Sequence, residues 1–284
     1  MKDKTLSDLV APNPPKSYKN LDFLNSHDAR SIRVLCELIE PDQRFRNEKV
    51  QNTVVFFGSA RSVDSTRAAE KSEALLKQAA EESDLNKREV LEANASYVRK
   101  LAAYYDAGVE LARRVTAWSL RLENEADRFY ICSGGGPGMM EAANKGAHLA
   151  GGKSIGLGIS LPFEQHLNPY CTPELSFEYH YFFTRKYWFL YPAKALVVFP
   201  GGFGTMDELF ELLTLIQTHK IQKKMPILLF GKDFWNDILN FDAFRKWGVI
   251  SDFDLELFRI VDDIDEAERY LIEQLETHFL PNSR

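Results

Sequence analysis

At 284 residues, with 45% apolar and 27% charged side chains, the chain can bury a substantial core as one large domain or two small ones. Its formal charge of −6, with no segment dominated by Lys and Arg, excludes a nucleic-acid backbone as the main partner. No apolar run approaches the ~18 residues of a membrane span. The three scattered cysteines, Cys36, Cys132 and Cys171, suggest neither a zinc site nor a disulfide framework, so a soluble, cytoplasmic protein without metal is expected.

Residues 1–20, with Pro12, Pro14 and Pro15, read as a flexible leader lacking the apolar core of a signal peptide. Residues 21–284 read as a single domain. Helical spacing of Ile32, Leu35, Leu38 and Ile39 predicts a helical preface over residues 26–40, stopped by Pro41. Residues 53–57 are a short β-branched and aromatic run, suited to a strand buried on both faces. The charged stretch near residues 65–95 is expected to be an inserted solvated helix or hairpin. Residues 97–122 carry a core-facing stripe of Leu101, Tyr104, Tyr105, Val109, Leu111, Ala112 and Val115. Strands are then predicted at 129–133, 154–159, 177–182, 195–199, 226–230 and 259–261, with helices at 138–150, 184–191, 205–218, 235–247 and 264–279. This alternation predicts an α/β fold: a Rossmann-like, doubly wound, mostly parallel sheet with helices on both faces.

Two glycine-rich turns, Ser133-Gly134-Gly135-Gly136 and Pro200-Gly201-Gly202-Phe203-Gly204-Thr205, each join an apolar strand to a helix. The unpaired N–H groups and dipole of a helix start form an anion site at the carboxyl edge of such a sheet, and glycine allows close backbone approach. One such turn is a weak signal. Two on consecutive sheet strands favour a shared phosphate-bearing ligand. No Gly-Lys-Ser/Thr follows either turn, and no clean dinucleotide fingerprint is present, so a nucleoside monophosphate fits better than ATP or NAD.

Arg185-Lys186, followed by Pro200-Gly201-Gly202-Phe203-Gly204-Thr205-Met206-Asp207-Glu208, resembles the signature of the lonely-guy (LOG) family, formerly labelled possible lysine decarboxylases. Gly134 to Glu141 resembles its other glycine segment and Phe57-Gly58-Ser59-Ala60 its first strand end, so the resemblance covers roughly residues 50–230. It implies a phosphoribohydrolase, cleaving the N-glycosidic bond of AMP or a cytokinin riboside monophosphate to free base and ribose 5-phosphate, with no cofactor. It also implies Arg185 and Glu208 as the catalytic pair. A carboxylate near the anomeric carbon stabilises oxocarbenium charge or activates water, and a guanidinium suits bidentate contact. Asp207 fits a dipole-stabilised carboxylate at the helix start as well as Glu208 does; the family pattern selects Glu208.

On the same resemblance Gly201, Gly202, Gly204 and Thr205 hold the phosphate, Thr205 being equally an N-cap. Ser59 adds a contact, and Gly135, Gly136, Met140 and Glu141 line the base and ribose, with Met140 otherwise a core residue. Lys186 is a phosphate contact or a solvated lysine. His166, His180 and His219 read as loop or surface residues. The aromatic cluster Tyr179, Tyr181, Phe182, Phe183, Tyr187 and Trp188 faces a base, an interface or the core. A homodimer or larger homo-oligomer is implied. The competing function is a non-catalytic nucleotide or molybdenum-cofactor carrier of the same fold. Lysine decarboxylation is poorly supported, since no Schiff-base lysine with a partner for a pyridinium nitrogen stands out.

Overall fold

The structure, a computed structural model, describes residues 13–162 and 166–280. Residues 1–12 of the expected leader lie outside the described residues. Ser17–Lys19 forms a 3-10 turn, followed by α1 (Leu21–Leu24) and α2 (Arg30–Asn47). The helix α2 does not stop at Pro41 but runs through it. Proline has no N–H to give the Glu37 carbonyl one turn back, and the Trp188 indole Nε1 donates to that carbonyl instead, at 2.9 Å.

The body then runs β1 (Asn52–Phe57), α3 (Ser65–Glu81), α4 (Leu85–Leu120), β2 (Phe129–Ser133), α5 (Met139–Leu149), β3 (Ser154–Ile159), β4 (Ser176–Tyr179), α6 (Phe182–Leu190) and β5 (Ala193–Val198). It closes with α7 (Phe203–Gln217), β6 (Ile227–Phe230), α8 (Lys232–Ile238), α9 (Phe241–Lys246), β7 (Phe258–Val261) and α10 (Ile264–Phe279). The helix expected over 235–247 is two helices, because the Asn240 side chain accepts from Ala243 N–H and starts a new one.

All seven strands form one parallel sheet in the order β4-β3-β2-β1-β5-β6-β7. Period-2 alternation splits each central strand between two cores. Val55 and Phe57 of β1 and Leu196 and Val198 of β5 face α2, α6, α7 and α8, meeting Phe45, Phe189, Leu209 and Trp235. Val54 and Phe56, with Ala195 and Val197, face α4, α5 and α10, meeting Leu111, Val115, Ala142 and Leu271. Helices therefore cover both faces, and the doubly wound α/β fold is as expected.

The chain order reverses between β1 and β5, so the topological switch point lies at their carboxyl ends. The two glycine turns follow β2 and β5, and these are not neighbours: β1 lies between them. The insert is the hairpin of α3 and the first half of α4. Asp64 and Asp84 cap its two helices through their carboxylates. At 36 residues, α4 is about 54 Å long, against about 20 Å for a six-residue strand. Because α4 runs antiparallel to the strands, its N-terminal half rises beyond their carboxyl ends.

Candidate functional site

The carboxyl ends of β1, β2 and β5 are stitched together by one backbone unit. Ser59 N–H donates to Pro200 O and Ser59 O accepts from Met139 N–H, both at 2.9 Å. The first strand end thus joins the two glycine turns. Gly138 has φ +71°, and a Cβ there would lie 2.4 Å from Ser59 O, so this join requires glycine.

The first turn is held from below by a polar cluster that sequence reasoning missed. Asn168 is buried, and its Nδ2 lies 3.0 Å from Gly135 O, 3.1 Å from Gly136 O and 2.9 Å from Asn144 Oδ1. Ser133 Oγ donates to the same Asn144 oxygen and accepts from Gly135 N–H. The three polar side chains, Ser133, Asn144 and Asn168, are 11 to 35 positions apart in the chain, so no local pattern announces them.

Above the turns lies a cleft of about 1360 Å³, larger than the ~300–1,000 Å³ of ordinary small-molecule sites. Of the expected site residues, Ser59, Gly136, Met140, Arg185, Gly201, Gly202, Gly204, Thr205 and Glu208 line it. Gly135, Glu141 and Lys186 do not. Gly135 is buried in the Asn168 cluster. Glu141 accepts from Tyr105 Oη at 2.7 Å and pairs with Arg67 at 3.4 Å. Lys186 pairs with Asp207 at 2.8 Å and Glu211 at 2.7 Å, which ties its ammonium to α7. Arg61, Lys71, His166 and Phe203 line the cleft without having been expected there.

The helix α7 starts at Phe203, with Gly202 as its N-cap. Thr205 is therefore not the cap, and Glu208 and Asp207 lie beyond the first turn, which holds no acid. Thr205, Glu208 and Leu212 recur at helical spacing on the buried face, whereas Asp207 faces solvent. Glu208 thus occupies a core-facing position with a carboxylate, only 6% exposed, and its Oε2 has no hydrogen-bond partner among the described residues. Burial pushes Glu208 up to about 7, against the pull of Lys186 and Arg185 and with the push of Asp207 and Glu211.

Arg185 enters from α6. Its Nε donates to Leu157 O at 2.7 Å, and its guanidinium lies 5.0 Å over the Phe189 ring. A Cβ on Gly134 would come within 2.6 Å of Arg185 Nη2 and of Met140 Sδ, so any larger residue there would push these side-chain ends aside. Burial lowers the Arg185 pKa, and the nearby charge of Glu208 opposes that. The helix carrying it is anchored to α2: the Glu37 carboxylate accepts from His180 N–H, Tyr181 N–H and Thr184 Oγ1. The aromatic cluster divides. Tyr179, Tyr181 and Trp188 are core, Phe182 lines the cleft, and Phe183 and Tyr187 are exposed.

The α/β fold thus carries, at its switch point, a glycine-walled cleft lined by the buried Glu208 and by Arg185. Residues 140–271 match the family described as "Possible lysine decarboxylase", the family that the motif resemblance indicated, and over this segment the chain carries its signature. The match runs past residue 230, about where the resemblance was expected to end, and leaves residues 50–139 outside. The chain is 28% identical over 138 residues to the probable cytokinin riboside 5′-monophosphate phosphoribohydrolase LOG6 of Arabidopsis thaliana, covering 49% of this chain and 63% of that one. It is 27% identical over 144 residues to the cytokinin riboside 5′-monophosphate phosphoribohydrolase of Mycobacterium marinum, covering 48% and 73%. The chain thus spans less than two thirds of the Arabidopsis relative. Similar solved structures include TM1055, a structural-genomics target (TM-score 0.46, 19% identity, 78% of this chain and 99% of that one). Another is a molybdenum-cofactor carrier protein from Chlamydomonas reinhardtii (TM-score 0.43, 18%, 80% and 98%).

Proposed function

We propose that this protein hydrolyses the N-glycosidic bond of a nucleoside 5′-monophosphate, AMP or a cytokinin riboside monophosphate, giving free base and ribose 5-phosphate. The observation that carries this reading is Glu208: a buried carboxyl with one unpartnered oxygen, poised near neutrality, in the cleft that the phosphate-type turn opens into. The names of the two curated relatives support the substrate class.

In this reading the 5′-phosphate sits on the N–H groups at the start of α7, over Gly202 and Gly204, where no protein atom occupies the space a Cβ would take. The ribose then lies toward Glu208. As the bond between the base nitrogen and C1′ breaks, its electron pair leaves with the base, which takes up a proton. The ionised Glu208 stabilises the positive charge at C1′ and accepts a proton from the water whose oxygen bonds there. Arg185, fixed by Leu157 O and Phe189, orients the nucleotide against that carboxylate. A homodimer is part of this proposal. It is supported by exposed apolar side chains on the packed helices α2 and α6: Leu35, Ile39, Phe183 and Tyr187.

Incubation with AMP, GMP, CMP, UMP and a cytokinin riboside monophosphate, with assay of free base and ribose 5-phosphate, tests the reading. Release of both products in equal amounts is expected. Tight nucleotide binding with no release from any of them would replace it with a carrier.

A further inference from the structure

The phosphate end of the cleft is built by the glycine turns, but two of the four residues expected to receive the base are elsewhere. Glu141 is taken by Tyr105 and Arg67, and Gly135 is sealed beneath the turn. Of the four, Gly136 and Met140 remain in the lining. The other wall comes from the α3–α4 hairpin, a feature that the segment matched to the family does not include.

Asn94, Tyr97, Val98 and Leu101 recur at i, i+3, i+4 and i+7 on α4, and Lys71 and Leu75 at i, i+4 on α3. All six line the cleft. They do so because α4 overshoots the sheet, which leaves this face with no strand to pack on. Leu101, expected in the core stripe, is diverted to the cleft for the same reason. Tyr97 is 58% exposed and makes no ring contact among the described residues. Small buried side chains, Ala68 and Ser72 on α3 and Ala95 and Ala102 on α4, let the two helices approach closely, so the wall rests on a well-packed base.

Resting on the mononucleotide reading above, we propose that the α3–α4 hairpin is the base-recognition wall of this cleft. A flat aromatic base lies against Tyr97 over the apolar surface of Leu75, Val98 and Leu101, and Asn94 and Lys71 meet its polar edge. The hairpin then sets which base is accepted, while the glycine turns bind what all nucleotides share.

The test is calorimetric titration of the full chain, wild type, Tyr97→Ala and Tyr97→Phe, with AMP and with ribose 5-phosphate. Thermal melts confirm that both variants fold. Tyr97→Ala is expected to weaken AMP about tenfold, the scale of one lost aromatic stack on a base, with Tyr97→Phe and all ribose 5-phosphate affinities within about twofold of wild type. Equal loss for both ligands, or no loss for AMP, overturns the proposal. A wild type that binds AMP while none of the five monophosphates releases its base sinks the hydrolase reading alone, and the same comparison still decides the wall. A wild type that binds neither ligand sinks both.

Discussion

Trp188 donates its indole N–H to the backbone carbonyl of Glu37 at 2.9 Å, taking the acceptor that Pro41 leaves unserved in α2. This single bond lets a helix continue through proline and ties it to the helix that presents Arg185. The Glu37 carboxylate completes the tie by accepting N–H groups at the start of α6. A segment outside the family match thereby orients a residue inside it.

Trp188→Phe should destabilise the fold by roughly 1–3 kcal/mol from the orphaned carbonyl, besides any packing loss. Adding Pro41→Ala restores an N–H to Glu37 O and should recover part of that loss. Urea denaturation of the two single variants and the double variant measures the coupling. Strict additivity would show that the bond contributes nothing.

Glu208→Gln should lower kcat for base release by at least about 10²-fold, with nucleotide affinity kept, if the carboxylate acts as base. Asp207→Asn, on the exposed side of α7, should stay within about tenfold. Single-turnover assays with both variants decide between the adjacent acids, and a larger loss in Asp207→Asn would reverse the assignment.

Stability should also depend on Glu208. Its folded pKa, about 7, lies above the ordinary 4.5, so the folded state holds the proton more tightly. The protonated form's advantage, at most about 3 kcal/mol, is present below pH ~4.5 and is lost as pH rises through about 7. Glu208→Gln removes this loss, so its melting temperature should exceed that of wild type increasingly from pH 5 to pH 8. A constant difference across that range would contradict the assigned pKa.

Activity should run the opposite way, rising with pH as Glu208 ionises, with an acid limb near 7. Lys186 pulls that pKa down and is itself held by Asp207 and Glu211. Lys186→Met should therefore shift the limb of kcat/KM to higher pH. An unmoved limb with lower affinity would return Lys186 to phosphate binding.

Gly134→Ala places a methyl 2.6 Å from both Arg185 Nη2 and Met140 Sδ. Displacing the guanidinium by about 1 Å should cost about 10²-fold in kcat/KM. Steady-state kinetics beside a thermal melt separates this from a general folding defect.

The alternation of apolar runs and helical stretches was sufficient for the α/β architecture, because burial on both faces of a parallel strand leaves a continuous apolar run such as Thr53 to Phe57. The glycine turns were likewise legible as strand-to-helix joins at the carboxyl edge of the sheet, and the family resemblance singled out Arg185 and Glu208, which line the same cleft. Local spacing says nothing about partners brought in from elsewhere. Pro41 reads as a stop until Trp188, 147 positions on, is seen to supply the missing bond. Lys186 reads as a phosphate contact or a solvated lysine and Glu141 as a lining residue, and only the fold shows what holds them: Asp207 and Glu211 for the one, Tyr105 and Arg67 for the other. The charged hairpin reads as a solvated insert, and only the overshoot of α4 past a short sheet turns one of its faces into a wall of the cleft. Hydrogen bonds and ion pairs act across space, and the fold alone decides which residues share it.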